Sequence, residues 1–266
     1  MTQSQADIHE PSLILVSTPR PGACVLTLNR SAKRNALSYS LINELLTQLR
    51  AASEDEEIQS IVIAGSDNFF SAGADLREIA TLDVEGARQI RYLENLCNGL
   101  RSVRKPVIAA VEGKALGGGF ELALMADFIV ATPETEFRLP EVNIGLIPGA
   151  GGTQRLTNAI GKHQAMKMIL LGEALSGIEA HKLGLASHLA DPGKALDCAL
   201  DLATNLGSRS QSAIRLAKEA ICRADELGQD EHFERSLYYT AFGTKDKREG
   251  VAAFLEKRAP VWNHAE

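Results

Sequence analysis

Two glutamates in apolar surroundings, Glu121 and Glu141, are the residues of this sequence best suited to acid–base chemistry. Glu121 lies in the otherwise apolar run Phe120–Ala126, where a solvent-exposed side chain has little room. A buried carboxylate is costly unless it is hydrogen-bonded, protonated or functional. Because 20 positions separate the two glutamates, no single helix face holds both. The fold would have to pair them for joint catalysis, and helix capping is the alternative role.

Glycine is concentrated in three segments, residues 71–75, 113–121 and 148–153. None of them matches the G-x-G-x-x-G nucleotide fingerprint, and Gly161-Lys162 lacks the upstream glycine of a P-loop. The first two segments follow predicted strands and precede predicted helices, where unpaired N–H groups can bind an anion or a developing oxyanion. The residues alone leave open whether these glycines serve an oxyanion site or close backbone packing.

Buried strands and amphipathic helices alternate through the first half of the chain. The strand pattern covers Ala23–Leu28, Ile58–Ala64, Val107–Val111 and Phe128–Ala131. A helix with one apolar face begins near Leu41, a second runs from about Val84 to Val103, and the polar, basic loop 29–35 precedes the first. Strands separated by helices predict an α/β fold with a mostly buried sheet.

From Gln154 onward the strand signal fades and helical periodicity dominates. The predicted helices are Thr153–Ile160, Lys162–Leu171, Ile178–Leu183, Ala195–Leu206, Gln211–Ala224, Glu231–Phe242 and Lys247–Lys257. The last third of the chain is therefore predicted to be helical.

Composition excludes several classes of function. Of 266 residues, 45% are hydrophobic and 23% charged, which is typical of a globular protein. The 28 basic and 34 acidic residues give a net charge of −6, which disfavours general nucleic-acid binding. No apolar run approaches the roughly 18 residues that span a bilayer. The four cysteines are widely spaced, which predicts free thiols, and the six histidines show no metal-ligand spacing.

The N-terminal residues 1–11 are polar and lack both a secretory apolar core and the character of a transit peptide. We therefore expect a cytoplasmic location. A mitochondrial location is the alternative if a presequence has been removed.

Taken together and in order, four motifs resemble those of the crotonase, or enoyl-CoA hydratase/isomerase, superfamily over nearly the whole chain. They are residues 29–37, 70–76, 113–121 and 139–156. The resemblance implies an α/β fold built as a crotonase-like spiral of ββα units with a helical C-terminal region. It implies a core spiral domain over residues 1–205 and a helical trimerisation region over residues 206–266.

The resemblance also implies the chemistry of a hydratase acting on an acyl-CoA thioester. The backbone amides of Ala74 and Gly118 would hold the thioester oxygen. Glu121 would activate the water that attacks C3, and Glu141 would exchange a proton at C2, which gives a 3-hydroxyacyl-CoA. Gly149 matches a position that lines the same pocket. No metal and no cofactor beyond the CoA of the substrate is implied.

Further positions match those that contact CoA in the family, and the basic residues among them offset the acidic net charge locally. The expected CoA and substrate contacts are Arg30, Ala32, Lys33, Ala72, Asp75, Leu76, Arg77, Gly149, Phe254 and Lys257, with Arg34 in the same basic loop. Phe254 and Lys257 match positions that reach the CoA of a neighbouring subunit. Family members are trimers or dimers of trimers, so a homotrimer or hexamer is expected.

Three alternative functions are suggested by resemblances to other members of the superfamily. Segments 113–156 and 244–258 also resemble methylglutaconyl-CoA hydratases, and an enoyl-CoA isomerase is the second alternative, although isomerases often keep only the second carboxylate. One relative binds RNA through a lysine-rich first helix. Here the corresponding segment ends in Glu54-Asp55-Glu56-Glu57, which repels phosphate. RNA binding is therefore disfavoured.

Overall fold

Two β-sheets form the centre of the protein in the computed structural model, which describes residues 11–66, 68–226 and 230–262. The strands are β1 (Ile14–Arg20), β2 (Ala23–Leu28), β3 (Ser60–Ala64), β4 (Phe69–Ser71), β5 (Val107–Val111), β6 (Lys114–Leu116), β7 (Phe128–Ala131), β8 (Glu136–Arg138), β9 (Leu175–Ser176) and β10 (His188–Leu189). The larger sheet has the order β1-β2-β3-β5-β7-β10, and the smaller has the order β4-β6-β8-β9.

Successive strand pairs divide between the two sheets, which produces a spiral. In β3–β4, β5–β6 and β7–β8, the first strand joins the larger sheet and the second joins the smaller one. Pairing between successive turns is parallel in both sheets, as between β3 and β5 and between β4 and β6. The predicted spiral of ββα units is confirmed.

Helices follow the strand pairs and dominate the C-terminal part. They are α1 (Tyr39–Glu54), α2 (Leu76–Ala80), α3 (Val84–Ile90), α4 (Tyr92–Arg101), α5 (Gly118–Leu124), α6 (Gly152–Ile160), α7 (Lys162–Leu170), α8 (Gly177–Lys182), α9 (Ala195–Gly207), α10 (Gln211–Glu226), α11 (Glu231–Phe242) and α12 (Lys245–Leu255). Two single-turn 3-10 helices cover Ser31–Lys33 and Glu141–Ile144. Among the described residues, no helix is long and apolar enough to cross a bilayer.

The central strands of the larger sheet are buried on both faces, which explains why they are continuous apolar runs. In β3, Ile61 and Ile63 belong to the main hydrophobic core. Val62, which points to the opposite face, packs in a second core with Ala199 and Ala203 of α9. Small alanines on α9 let the helix approach the sheet closely. Helix α9 thus covers the face turned away from the smaller sheet.

Two predictions about elements are wrong. The single helix predicted over 84–103 is two helices, because Arg91 adopts a left-handed conformation with φ 50° and ψ 22°. Its guanidinium Nε then donates to Glu94 at 2.8 Å in the first turn of α4. The strand signal also does not end at Gln154, since β9 and β10 complete the edges of the two sheets. Two residues are too few to show a periodicity.

Candidate active site

The backbone amide of Ala74 lies just beyond β4 with no hydrogen-bond acceptor among the described residues. Ala74 forms a parallel bridge with Leu37: the amide of Leu37 donates to the Gly73 carbonyl at 2.8 Å, and the amide of Asp75 donates to the Leu37 carbonyl at 3.2 Å. In this pattern the neighbours of Ala74 make both bonds, so its own N–H points to the other side. That side faces the start of α5.

The amide of Gly118 is the second unpaired donor. Gly118 is the first residue of α5, where an N–H has no partner within the helix. Gly117 before it has φ 51° and ψ −129°, a conformation that essentially only glycine adopts. A Cβ on Gly118 would lie 3.6 Å from the Ala74 nitrogen, and a Cβ on Gly73 would lie 3.2 Å from the Gly118 nitrogen. The two amides are therefore neighbours across contacting backbone.

Both amides follow the carboxyl ends of paired parallel strands, β4 and β6. This is where ligands bind in sheets of this kind. Two converging N–H donors can stabilise an oxygen that gains negative charge. The glycines of segments 71–75 and 113–121 thus serve the close packing and the amide presentation that the sequence left as alternatives.

Glu121 lies one turn into α5, with only 2% of its surface exposed. Its Oε1 accepts hydrogen bonds from the amides of Ala150 and Gly152, both at 2.8 Å. Its Oε2 lies 3.9 Å from where a Cβ of Gly118 would be. One carboxylate oxygen is therefore anchored at the start of α6, while the other faces the unpaired amides. Burial raises the pKa of Glu121, and the charge of Glu234 adds to this.

Glu141 lies on the 3-10 helix that follows β8, and its side chain extends to the start of α5. Its Oε1 lies 2.8 Å from where a Cβ of Gly117 would be. Its Oε2 is buried without a hydrogen-bond partner among the described residues. Burial raises the pKa of Glu141 well above its usual value, and the charge of Glu121 raises it further. The two predicted acids thus flank the same Gly117–Gly118 turn, and their charges act on each other.

The two glutamates differ in their hydrogen bonds, and this gives them different tendencies to hold a proton. Two amide donors favour the anionic form of Glu121, whereas Glu141 Oε2 has no such donor. Of the two, Glu141 therefore holds a proton more strongly, and Glu121 is the better base. The arrangement can supply a base and an acid side by side next to two oxyanion donors.

A cavity of about 470 Å³ connects these groups. Ala74, Gly118, Glu121 and Glu141 all line it. Its inner wall is apolar or aromatic and comprises Ile79, Tyr92, Leu93, Leu146, Ile147 and Tyr238. The hydroxyls of Tyr92 and Tyr238 lie 3.3 Å apart, and the Tyr238 ring lies where a Cβ of Gly149 would be. The cavity can hold an apolar chain of limited length beside the two glutamates.

The structure divides the expected CoA contacts into two groups. Four of them line the cavity: Ala72, Leu76, Gly149 and Phe254. The other six are absent from its lining: Arg30, Ala32, Lys33, Asp75, Arg77 and Lys257.

Partners within the chain explain part of this division. Arg30 and Asp75 form an ion pair at 2.7 Å. The Asp75 side chain also accepts from the amide of Arg77 at 3.1 Å and so caps α2. Ala32 and Lys33 are exposed on the turn before Arg34, and Lys257 is exposed beyond α12.

Apart from Arg34, which lies in the basic loop expected at CoA, several lining residues are not among the positions that the sequence singled out for the site. Three arginines line the cavity at or near its mouth: Arg34, Arg138 and Arg258. Arg34 lies over the Phe69 ring at 5.3 Å from its centroid. Tyr92 and Tyr238 are buried lining residues contributed by α4 and α11. Only Arg34 had a sequence signal, the basic loop; the others are single residues on elements far apart in the chain.

Within the described residues, no group of three or more His, Cys, Asp or Glu side chains is arranged to hold a metal ion. All four cysteines are free thiols. The candidate site brings together backbone amides, two carboxylates and a cavity.

The chain matches a family of known proteins over almost its full length. Residues 19–265 match the model of the family described as Enoyl-CoA hydratase/isomerase. A probable enoyl-CoA hydratase of Rhizobium meliloti is 45% identical over 246 residues, which cover 90% of this chain and 94% of the relative. A probable mitochondrial enoyl-CoA hydratase of Dictyostelium discoideum is 43% identical over 242 residues, covering 90% of this chain and 87% of the relative.

A solved structure shares the fold. The crystal structure of an enoyl-CoA hydratase subunit I from Geobacillus kaustophilus superposes with a TM-score of 0.78 at 38% identity. The match covers 96% of this chain and 99% of the solved chain.

Proposed function

Because the chain belongs to the enoyl-CoA hydratase/isomerase family, we propose that it is an enoyl-CoA hydratase. It adds water across the 2,3 double bond of a 2-enoyl-CoA thioester and gives a 3-hydroxyacyl-CoA. The single observation that carries the proposal is the pair of glutamates beside two unpaired, neighbouring amides in one cavity. The isomerase alternative is less favoured, because both carboxylates are present.

The amides of Ala74 and Gly118 hold the thioester carbonyl oxygen. Their lack of other acceptors among the described residues supports this role, since donors that are already unpaired need no rearrangement when the substrate binds. As water adds to C3, negative charge moves through C2 to this oxygen. Removing one such donor from an oxyanion site typically costs about 10²- to 10³-fold in rate.

Glu121 acts as the base and Glu141 as the acid. A water held between them gives one proton to Glu121 as its oxygen bonds to C3. The electron pair of the double bond moves toward C2 and the carbonyl, and C2 then takes the proton of Glu141. One glutamate has gained a proton and the other has lost one, so proton exchange between them restores the starting state. Both glutamates act from the same side, which gives syn addition.

The CoA part of the substrate leaves the cavity through the basic mouth. Arg34 and Arg138 supply positive charge there, which suits the phosphates of CoA and locally offsets the acidic net charge of the chain. Arg258 also lines the cavity, but it is paired with Glu249 and Glu256. Ala72, Leu76, Gly149 and Phe254 line the route between the mouth and the glutamates. Arg30, Ala32, Lys33, Asp75, Arg77 and Lys257 remain proposed contacts, reached from outside the cavity lining. No cofactor beyond this CoA is needed, because protein groups supply acid, base and oxyanion donors.

The helical C-terminal region is proposed to form a homotrimer or a dimer of trimers. On α10, Leu216 and Ile221 are 64% and 69% exposed, which is unusual for large apolar side chains on a long helix. Residues 206–226 thus fit an association surface, whereas α11 and α12 also line the cavity. Light scattering on the purified protein measures the mass that decides this. The cytoplasmic location is a further proposal, tested by cell fractionation.

A panel of 2-enoyl-CoA thioesters tests the activity and the preferred acyl group together. Hydration removes the conjugated double bond, so loss of its ultraviolet absorbance reports the rate directly. Short, long, branched and ω-carboxylated acyl chains separate the general hydratase from the methylglutaconyl-CoA alternative. Failure to hydrate every member of the panel would contradict the proposed function.

A further inference from the structure

A third buried carboxylate, Glu234 of α11, contacts the same short segment that anchors Glu121. Its Oε1 accepts from the amide of Gly151 at 2.6 Å, and its Oε2 accepts from the amide of Thr153 at 2.7 Å. The Thr153 hydroxyl donates to the same Oε2. Glu234 is 1% exposed. It comes from the C-terminal helical part, 81 to 83 positions away from these partners along the chain.

The two carboxylates alternate along four successive amides. Glu121 takes the N–H groups of Ala150 and Gly152, and Glu234 takes those of Gly151 and Thr153. These amides form the start of α6, whose partial positive charge favours both anions. Glu234 occupies every second amide, and the two hydrogen bonds to the Glu121 carboxylate from the described residues both go to its Oε1. Its Oε2 is thereby left for the cavity.

From this interleaving we infer that Glu234 is a positioning residue for the proposed hydratase reaction. It occupies the amides of Gly151 and Thr153, fixes the turn that begins α6, and so holds the Glu121 carboxylate with Oε2 directed at the reacting centre. The inference rests on the proposed function for its kinetic consequence, but its structural consequence can be measured without it.

Glu231 lies one turn before Glu234 on α11, but the two carboxylates have different partners. The positioning role therefore belongs to Glu234 and not to Glu231. Glu231 binds arginines: Arg101 at 2.9 Å, Arg155 in a close ion pair, and Arg235 at 3.6 Å. Among the described residues, the hydrogen bonds to the Glu234 carboxylate come only from Gly151 and Thr153. Glu231 therefore docks α11 through ion pairs and reaches the segment that anchors Glu121 only indirectly, through Arg155, which donates to the Ala150 carbonyl at 2.8 Å. Glu234 binds the amides of that segment directly.

The test is the substitution Glu234→Gln, with Glu231→Gln as the matched control on the same buried helix. A glutamine at 234 keeps one acceptor oxygen but presents an NH₂ group toward amide donors, so at least one amide of the turn loses its partner. We expect kcat for a short 2-enoyl-CoA to fall by about 10- to 100-fold with KM within about twofold, since small misplacements of a reacting group have effects of this size. Glu231→Gln should lower the melting temperature but leave kcat within about threefold.

The pH dependence of kcat in Glu234→Gln distinguishes a positioning role of Glu234 from a simple loss of folded protein. The groups that act on Glu121 are Glu141, Glu234 and Arg155, with the Tyr92 and Tyr238 hydroxyls nearby. In Glu234→Gln the loss of the Glu234 charge lowers the pKa of Glu121, whereas the loss of an amide donor raises it. We therefore expect the acidic limb of the kcat profile to move away from its wild-type pH. A profile at the wild-type pH with a proportional loss of folded protein would assign Glu234 a merely structural role and overturn the inference.

A crystal structure of Glu234→Gln gives a readout that needs no activity. We expect Glu121 Oε1 to leave at least one of its two present amides, Ala150 or Gly152. If Glu121 keeps both bonds near 2.8 Å, the inference is wrong, even if the wild type proves to hydrate no enoyl-CoA. If the wild type is active and Glu234→Gln equals it in kcat and pH profile, the inference is also wrong while the proposed function stands.

Discussion

Replacing Glu121 by glutamine should abolish most of the activity while leaving the fold intact. Both anchoring bonds of Glu121, from Ala150 and Gly152, go to the single oxygen Oε1. A glutamine carbonyl oxygen has two lone pairs and can accept both of these bonds. Only Oε2, the oxygen that faces Gly118, is replaced by an NH₂ group that cannot take a proton from water.

In Glu121→Gln, the expected loss of rate is much larger than the expected change in stability, so the two can be measured separately. Loss of a positioned base costs about 10²- to 10⁴-fold in rate, which is about 3 to 5 kcal/mol of activation free energy. For stability, two charge-assisted bonds become neutral ones, but a buried charge near Glu234 and Glu141 is removed. These contributions oppose each other, so we expect the free energy of unfolding to change by no more than about 1 kcal/mol.

Glu121→Ala is the contrasting variant. It removes the acceptor and leaves the amides of Ala150 and Gly152 unpaired in a buried site, at about 1 to 3 kcal/mol each. The assays are the initial rate of crotonyl-CoA hydration and the denaturant midpoint. We expect alanine and glutamine to lose activity alike, with only alanine losing several kcal/mol of stability. A glutamine variant with wild-type rate would refute the assignment of Glu121 as base, and one as unstable as alanine would refute the single-oxygen anchor.

Two further substitutions test the neighbouring groups. Glu141→Gln should reduce crotonyl-CoA hydration by about 10²-fold or more. Burial raises the pKa of Glu141 in the folded protein. The protonated Glu141 side chain therefore contributes stability that is fully present below the unfolded-state pKa of about 4.3. This stability is lost as the pH rises through the folded-state pKa. Glu141→Gln should therefore gain stability relative to wild type between pH 5 and pH 8 in urea titrations, and no gain would contradict the raised pKa. Gly117→Ala puts a Cβ 2.8 Å from Glu141 Oε1 at φ 51° and should cut kcat at least tenfold. Gly184→Ala is the control. Gly184 has φ 80°, and an added Cβ would have no atom within 4 Å, so this variant introduces backbone strain alone and should keep the wild-type kcat.

The central strands could be predicted because the physics that forms them is local to the sequence. Both faces of β3 and β5 are buried, so the sequence shows uninterrupted apolar runs there. The strands of the smaller sheet escaped prediction because β4, β6 and β8 have three residues each. The break at Arg91 escaped because the helical periodicity continues across it, and a single left-handed residue leaves no trace in that pattern.

Some residues of the candidate site could be identified from the sequence, and others could not. Glu121 was conspicuous as a carboxylate within an apolar run, and the glycine clusters marked the backbone that presents the two amides. Glu234 lies on an amphipathic helix, where glutamate normally faces solvent, and only the docking of α11 on α6 buries it. Arg30 and Asp75 were expected at CoA but are paired with each other, which spacing along the chain could not reveal.

A crystal structure of the protein with a bound 3-hydroxyacyl-CoA product is the most direct test of the proposed mechanism. The proposed mechanism predicts the thioester oxygen at hydrogen-bond distance, about 2.7 to 3.2 Å, from the nitrogens of both Ala74 and Gly118. It predicts the 3-hydroxyl group at the same distance from the carboxylates of Glu121 and Glu141. A product whose carbonyl lies away from these amides, or whose hydroxyl contacts neither glutamate, would contradict it.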